Sequence, residues 1–183
     1  MLIKLLVTVS ILLSSLSATG CACKRISVIS PQGGVSPVSG RILPPEPDPA
    51  VNKATIAGVD SNNDGLRDDV ERWLDATYGV DKKKLSGVRK YARERQKDIA
   101  EIELITQDTR LTYSKNSLKA IDCFLETHKD ESWETQQGIL EIISQTTFNT
   151  LRRIKIKHES DKKFSGLLTG LSKTEEAVKC AEE

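Results

Sequence analysis

The sequence predicts an all-α fold, a small bundle of four or five helices, on three observations. From Ala54 onward apolar residues recur at three- and four-residue spacing. No stretch alternates apolar and polar residues convincingly enough for a sheet. Cap signals punctuate the periodic stretches, among them Gly79 after one run and the capping-box pattern Ser172-Lys173-Thr174-Glu175 at the start of another. Aromatic residues make up only 4% of the chain, so the core falls to Leu, Ile, Val and Ala.

The first twenty residues are set apart from that bundle. Met1 to Gly20 carries one basic residue, Lys4, then an apolar run from Leu5 to Leu16 and a small-residue exit. These are the parts of a secretory signal peptide. A transmembrane helix needs roughly 20 apolar residues, and this run is shorter and serine-rich. Ala18-Thr19-Gly20-Cys21 resembles the lipobox of bacterial lipoproteins, although Ala18 stands where that motif usually has Leu. The resemblance implies lipidation at Cys21, and Ala22 in place of Asp implies sorting to the outer membrane. The alternative is ordinary cleavage at an A-x-A-like site, giving a soluble periplasmic or secreted protein. Both readings cut before Cys21.

Residues 21–53 read as the anchor cysteine and a linker. All six prolines lie between Pro31 and Pro49, beside Gly33, Gly34 and Gly40. The segment predicts a disordered tether, with polyproline character from Pro44 to Pro49. Thirty such residues would reach about 30 Å as a flexible coil and roughly 90 Å fully extended.

Residues 54–183 form the predicted domain. Val70, Trp73, Leu74 and Thr77 share one helical face, ending at Gly79. A second helix, about Lys83 to Gln107, repeats apolar residues at Leu85, Val88, Ala92, Ile99, Ile102 and Ile105. A third, Thr109 to Lys129, runs on Leu111, Leu118, Ile121 and Leu125. A fourth follows Ser132, with Trp133, Leu140, Ile143, Thr147, Leu151 and Ile154 in register. A short fifth begins at Ser172. The alternating charges from Lys82 to Glu103 read as the wet face of the second helix. Arg152, Arg153, Lys155, Lys157, Lys162 and Lys163 read as a solvated face, and His128 and His158 as surface histidines near helix ends.

One constellation carries chemistry. The twelve residues from Asp60 to Glu71 fit D-x-[DN]-x-[DN]-G-x₅-E at every specified position. Calcium wants six to eight oxygens, which a flexible loop supplies from alternate residues. Asp60, Asn62 and Asp64 would offer side-chain oxygens, Leu66 its carbonyl, Asp68 a direct or water-mediated contact, and Glu71 both carboxylate oxygens. Gly65 permits the turn that closes the two halves. The loop resembles the EF-hand family, and more closely its truncated relatives such as dockerin and thrombospondin-type calcium loops, over these residues and the helix that follows. It departs at Thr55-Ile56-Ala57-Gly58-Val59, which does not read as an entering helix, and at Arg67, where paired EF-hands carry an aliphatic residue.

Cys123 and Cys180 are predicted to form a disulfide, as cysteines far apart in an oxidising compartment usually do. Cys23 has no evident partner. Removing the leader takes Lys4 from the 27 basic residues, leaving 26 against 26 acids. With no net field, nucleic acid is not an expected partner. The functional expectation is a calcium-binding, lipid-anchored envelope protein. It would act as a non-enzymatic interaction or structural module, with the membrane and an envelope or exported protein as partners. Alternatives are a periplasmic inhibitor or immunity protein, and a calcium-dependent envelope hydrolase with Asp69 as its nearest spare carboxylate.

Overall fold

The structure, a computed structural model, describes residues 32–166 and Cys180. The described chain is mostly helical, a small all-α bundle as the periodicity predicts. Its helices are α1 (Pro49–Ala54), α2 (Asp68–Tyr78), α3 (Lys82–Ala100), α4 (Arg110–Thr127), α5 (Trp133–Thr147) and α6 (Leu151–Phe164). The expected leader, Cys21, Cys23 and the helix expected at Ser172 lie outside the described residues. No described helix is long and apolar enough to cross a membrane.

The helix α3 is the spine, packing on α2, α4, α5 and α6. Its predicted stripe holds: Leu85, Val88 and Ala92 enter a core with Leu66, Val70, Leu74, Tyr91, Phe124 and Ile143. A Cβ on Gly87 would come within 2.0 Å of Thr127 Oγ1, so glycine sets the close approach of α3 to α4. The predicted continuation to Gln107 fails after Ala100. A 3-10 turn at Ile102–Leu104 carries Ile102 and Ile105 into a second cluster with Ile156.

Two other helices differ from expectation. On α4 the buried line is Ala120, Cys123, Phe124 and Thr127, while Leu111 is exposed. The predicted fourth helix is two helices. It breaks at Phe148–Thr150, where the Thr150 side chain accepts from the Arg153 N–H at 3.3 Å and caps a new start. The break rotates the buried face, so Leu151 and Ile154 are exposed and Arg153, Ile156 and Ser160 point inward.

The predicted tether is ordered from Gln32 onward. Strands β1 (Gly34–Val35) and β2 (Ile42–Leu43) pair antiparallel, Gly34 opposite Leu43 and Val35 opposite Ile42. The hairpin is pinned to α2: the Ser36 and Ser39 hydroxyls both donate to the buried Asp75 carboxylate. Arg72, one turn earlier, donates to the Pro44 carbonyl at 2.8 Å and pairs with Glu46 at 2.6 Å. Proline and glycine content correctly excludes long regular elements here, but it does not register side-chain anchors on a neighbouring helix. Asp48 then caps α1, accepting from the Ala50 and Val51 N–H groups, with Pro49 at its first position.

Candidate metal centre

Alternate side chains shape the acidic loop ahead of α2. Asp60 accepts from the N–H groups of Asp64 at 3.2 Å and Gly65 at 2.9 Å, folding the first half back on itself. The Asn62 side-chain oxygen accepts from Asp64 N–H at 3.3 Å, and Asp64 from Leu66 N–H at 2.9 Å. Asn63 and Gly65 take positive φ values of 55° and 83°, the backbone such a tight loop requires. Leu66 buries its side chain in the main core, which fastens the loop to the domain. Asp68 begins α2 and accepts from Ser61 N–H at 2.9 Å, tying the two ends together. Glu71, 1% exposed, lies one turn into the helix.

The charge of this loop is answered from α3. Arg89 forks between the loop's two halves, meeting Glu71 Oε1 and Asp64 Oδ2 at 2.6 Å each. The other Glu71 oxygen accepts from Asn62 Nδ2 at 3.0 Å. Arg93 stands 3.6 Å from Asp64 Oδ2, and Arg41 of the hairpin 3.9 Å from Glu71 Oε1. Burial pushes the Asp68 carboxyl above the ordinary carboxylate range. Nearby Asp60 and Asp64 add to that rise, and hydrogen bonding from Ser61 opposes it.

The residues therefore fit calcium in type and number, with four carboxylates, an amide oxygen and a carbonyl within twelve positions. Their arrangement is a different matter. Among the described residues no three carboxylate, thiol or imidazole groups are gathered so as to hold an ion. Arg89 and Asn62 engage both Glu71 oxygens, so a bidentate clamp requires those two contacts to exchange. Comparison with known protein families, with curated sequences and with solved structures finds no match to this chain.

The structure puts Asp60, Asn62, Asp64, Leu66, Asp68 and Glu71 in one loop and the turn after it. It brings Cys123 and Cys180 to disulfide distance, with Cα atoms 5.6 Å apart. Asp69 is engaged by other partners: Arg67 grips both its oxygens, at 2.5 and 3.2 Å, and Asn52 donates to it at 2.9 Å.

The expected surface positions of His128 and Arg153 are corrected. His128 is fully buried, stacked on Phe124 with ring centroids 4.3 Å apart, and burial lowers its pKa. Arg153 is fully buried and donates to the carbonyls of Asn52 at 2.7 Å and Ile56 at 2.8 Å. Burial, with repulsion from Arg67, lowers its pKa to about 10. His158, Arg152, Lys155 and Lys162 are exposed, while Lys163 donates to the Ile102 and Ile105 carbonyls.

Arg67 and Arg89 were missed as determinants of the loop. Arg67, fully buried, donates to the Thr146 and Thr147 carbonyls at the end of α5, at 3.1 and 3.0 Å. The one sequence signal for Arg89 is its place beside Arg93 at helical spacing, opposite a loop with surplus negative charge.

Proposed function

We propose that the loop from Asp60 to Glu71 binds calcium and that the helical domain is a non-enzymatic module. A lipid anchor at Cys21 would present it at the periplasmic face of the outer membrane, where it binds another envelope or exported protein. The observation that carries the calcium reading is the twelve-residue oxygen pattern from Asp60 to Glu71, in which Asp64 and Glu71 share one guanidinium, that of Arg89. A divalent cation would supply the positive charge that such a loop lacks by itself, and the loop would supply the oxygens that coordinate it. The chain's part is to release Arg89 from Glu71 and Asp64 and to turn the Asn62 amide oxygen inward. Because that exchange costs affinity, binding is expected in the range of extracellular modules, on the order of 10⁻⁴–10⁻³ M.

Titration calorimetry paired with thermal melts tests this reading. Calcium at millimolar concentration raises the melting temperature by mass action, and magnesium, which holds its waters, substitutes poorly. Glu71→Gln lowers the starting melting temperature, since Arg89 loses a charged partner, and removes the calcium-dependent rise. If the wild type shows neither heat nor a shift with millimolar calcium, the loop is only a turn.

A further inference from the structure

A cavity of about 500 Å³ opens between the β-hairpin and α3. The α3 wall carries Lys82, Arg89, Lys90, Arg93 and Lys97, and the hairpin adds Arg41. Among the described residues Glu94 is the one acid in the lining, and it is held by Lys97 at 2.8 Å. The alternating charges of α3 do not alternate in space. Positions 82, 86, 89, 90, 93 and 97 follow the helical period, so cations collect on this face while Asp98 turns into the interior. The stripe runs about 22 Å along the helix, from 1.5 Å per residue.

The lining's charge is only partly answered by the protein. Glu71 and Asp64 take Arg89. Neither Lys82 nor Lys90 has an acidic side chain within 4.0 Å among the described residues. A chain with 27 basic and 26 acidic residues has no overall field, so six cations around one concavity are a local construction. Low-dielectric walls focus that potential on the cavity's contents.

We propose that this cavity is a binding site for an organic phosphate. The ammonium groups of Lys82 and Lys90 suit a multiply charged oxyanion, with the Ser86 hydroxyl as a further donor and the lining arginines adding positive potential. The volume falls within the range of small-molecule sites and exceeds what phosphate alone fills, leaving room for an organic portion beside Leu85. A free phosphate ester and a phospholipid headgroup share this chemistry.

The test titrates inorganic phosphate into the full chain in calcium-free buffer, following backbone resonances. A parallel arm measures sedimentation with vesicles of phosphatidylcholine containing about a tenth phosphatidic acid, against phosphatidylcholine alone. The variant is the double charge reversal Lys82→Glu with Lys90→Glu, two side chains outside the acidic loop. Shifts confined to α3 and the hairpin, weakened at least tenfold in the variant, support a site for free phosphate esters. A response only to phosphatidic acid, lost in the variant, supports the headgroup form. Omitting calcium makes the result independent of the proposed ion. No binding in either arm, or binding that the variant leaves unchanged, overturns the proposal.

Discussion

Asp98 sits on the inner face of α3, 4% exposed, with Arg95 Nη1 3.2 Å away. Burial raises its pKa to about 6; Glu94 and Asp161 push in the same direction, against Arg95 and Lys157. The folded state therefore holds a proton that the unfolded chain gives up near its ordinary value of 3.8. This contribution is complete below about pH 4 and is lost as pH rises through about 6. Asp98→Asn should flatten that slope and stabilise the protein at pH 7 by about 2 kcal/mol, allowing for the lost Arg95 pairing. His128, held neutral by burial, acts in the opposite sense, and its contribution is lost as pH falls below 6.5. The difference between wild type and Asp98→Asn in urea unfolding from pH 4 to 7 isolates Asp98, and an unchanged slope refutes the assignment. At this scale the loop itself was legible, because the spacing of its acids and Gly65 places Asp60 to Glu71 in one loop and the turn after it. Arg67, Arg153 and His128 were not. Residue type foretells exposure, whereas what buries these groups is a carbonyl or a ring delivered by another helix.

Between elements, two arginines do much of the joining. Arg67 ties the loop to the last turn of α5, and Arg153 ties α6 to the end of α1. Carbonyls at a helix end lack intrahelical partners, so these guanidinium donors satisfy groups that would otherwise be buried unpaired. The two side chains pass beside Gly58, whose φ is +79°. A Cβ there would lie 2.2 Å from Arg67 Cδ, 2.6 Å from Asn52 Oδ1 and 2.8 Å from Arg153 Nη2. Gly58→Ala is expected to cost about 3 kcal/mol, from backbone strain together with overpacking. Urea unfolding checks it, and a loss under about 1 kcal/mol would mean that the two arginines yield easily. Sequence periodicity located α2, α3, α4 and α5 but not the rotation between α5 and α6. Trp133 through Ile154 keep a helical period on paper, and only the cap at Thr150 marks the break.

Over the whole molecule, the helical class was legible because the apolar periodicity after Ala54 is strong. The ordered hairpin was not, because its anchors are Asp75 and Arg72, ordinary polar residues of α2. The Cys123–Cys180 link spans 57 residues and joins α4 to the far end of the chain. Closing a loop of that length stabilises by about 4 kcal/mol in the chain-entropy account, with residual structure reducing the figure. Cys123→Ser should therefore lower the urea midpoint without changing the helical signal at zero denaturant. Equal midpoints for the variant and the oxidised wild type would show that the link adds nothing.

Arg67 and Arg153 also set an order of events. Their carbonyl partners lie 79 to 101 residues away along the chain. The acidic loop and its contacts with α3 are made early, yet the carbonyls that hold Arg67 arrive only with α5 and the partner of the Asn52 carbonyl only with α6. Contacts of such separation close late, because the intervening loop must first lose its entropy. A nascent chain stopped before Thr146 carries every oxygen proposed for calcium, and Arg89 with them, but not the carbonyls that hold Arg67. The loop should gain further ion affinity when the second half of the chain docks and Arg67 is held.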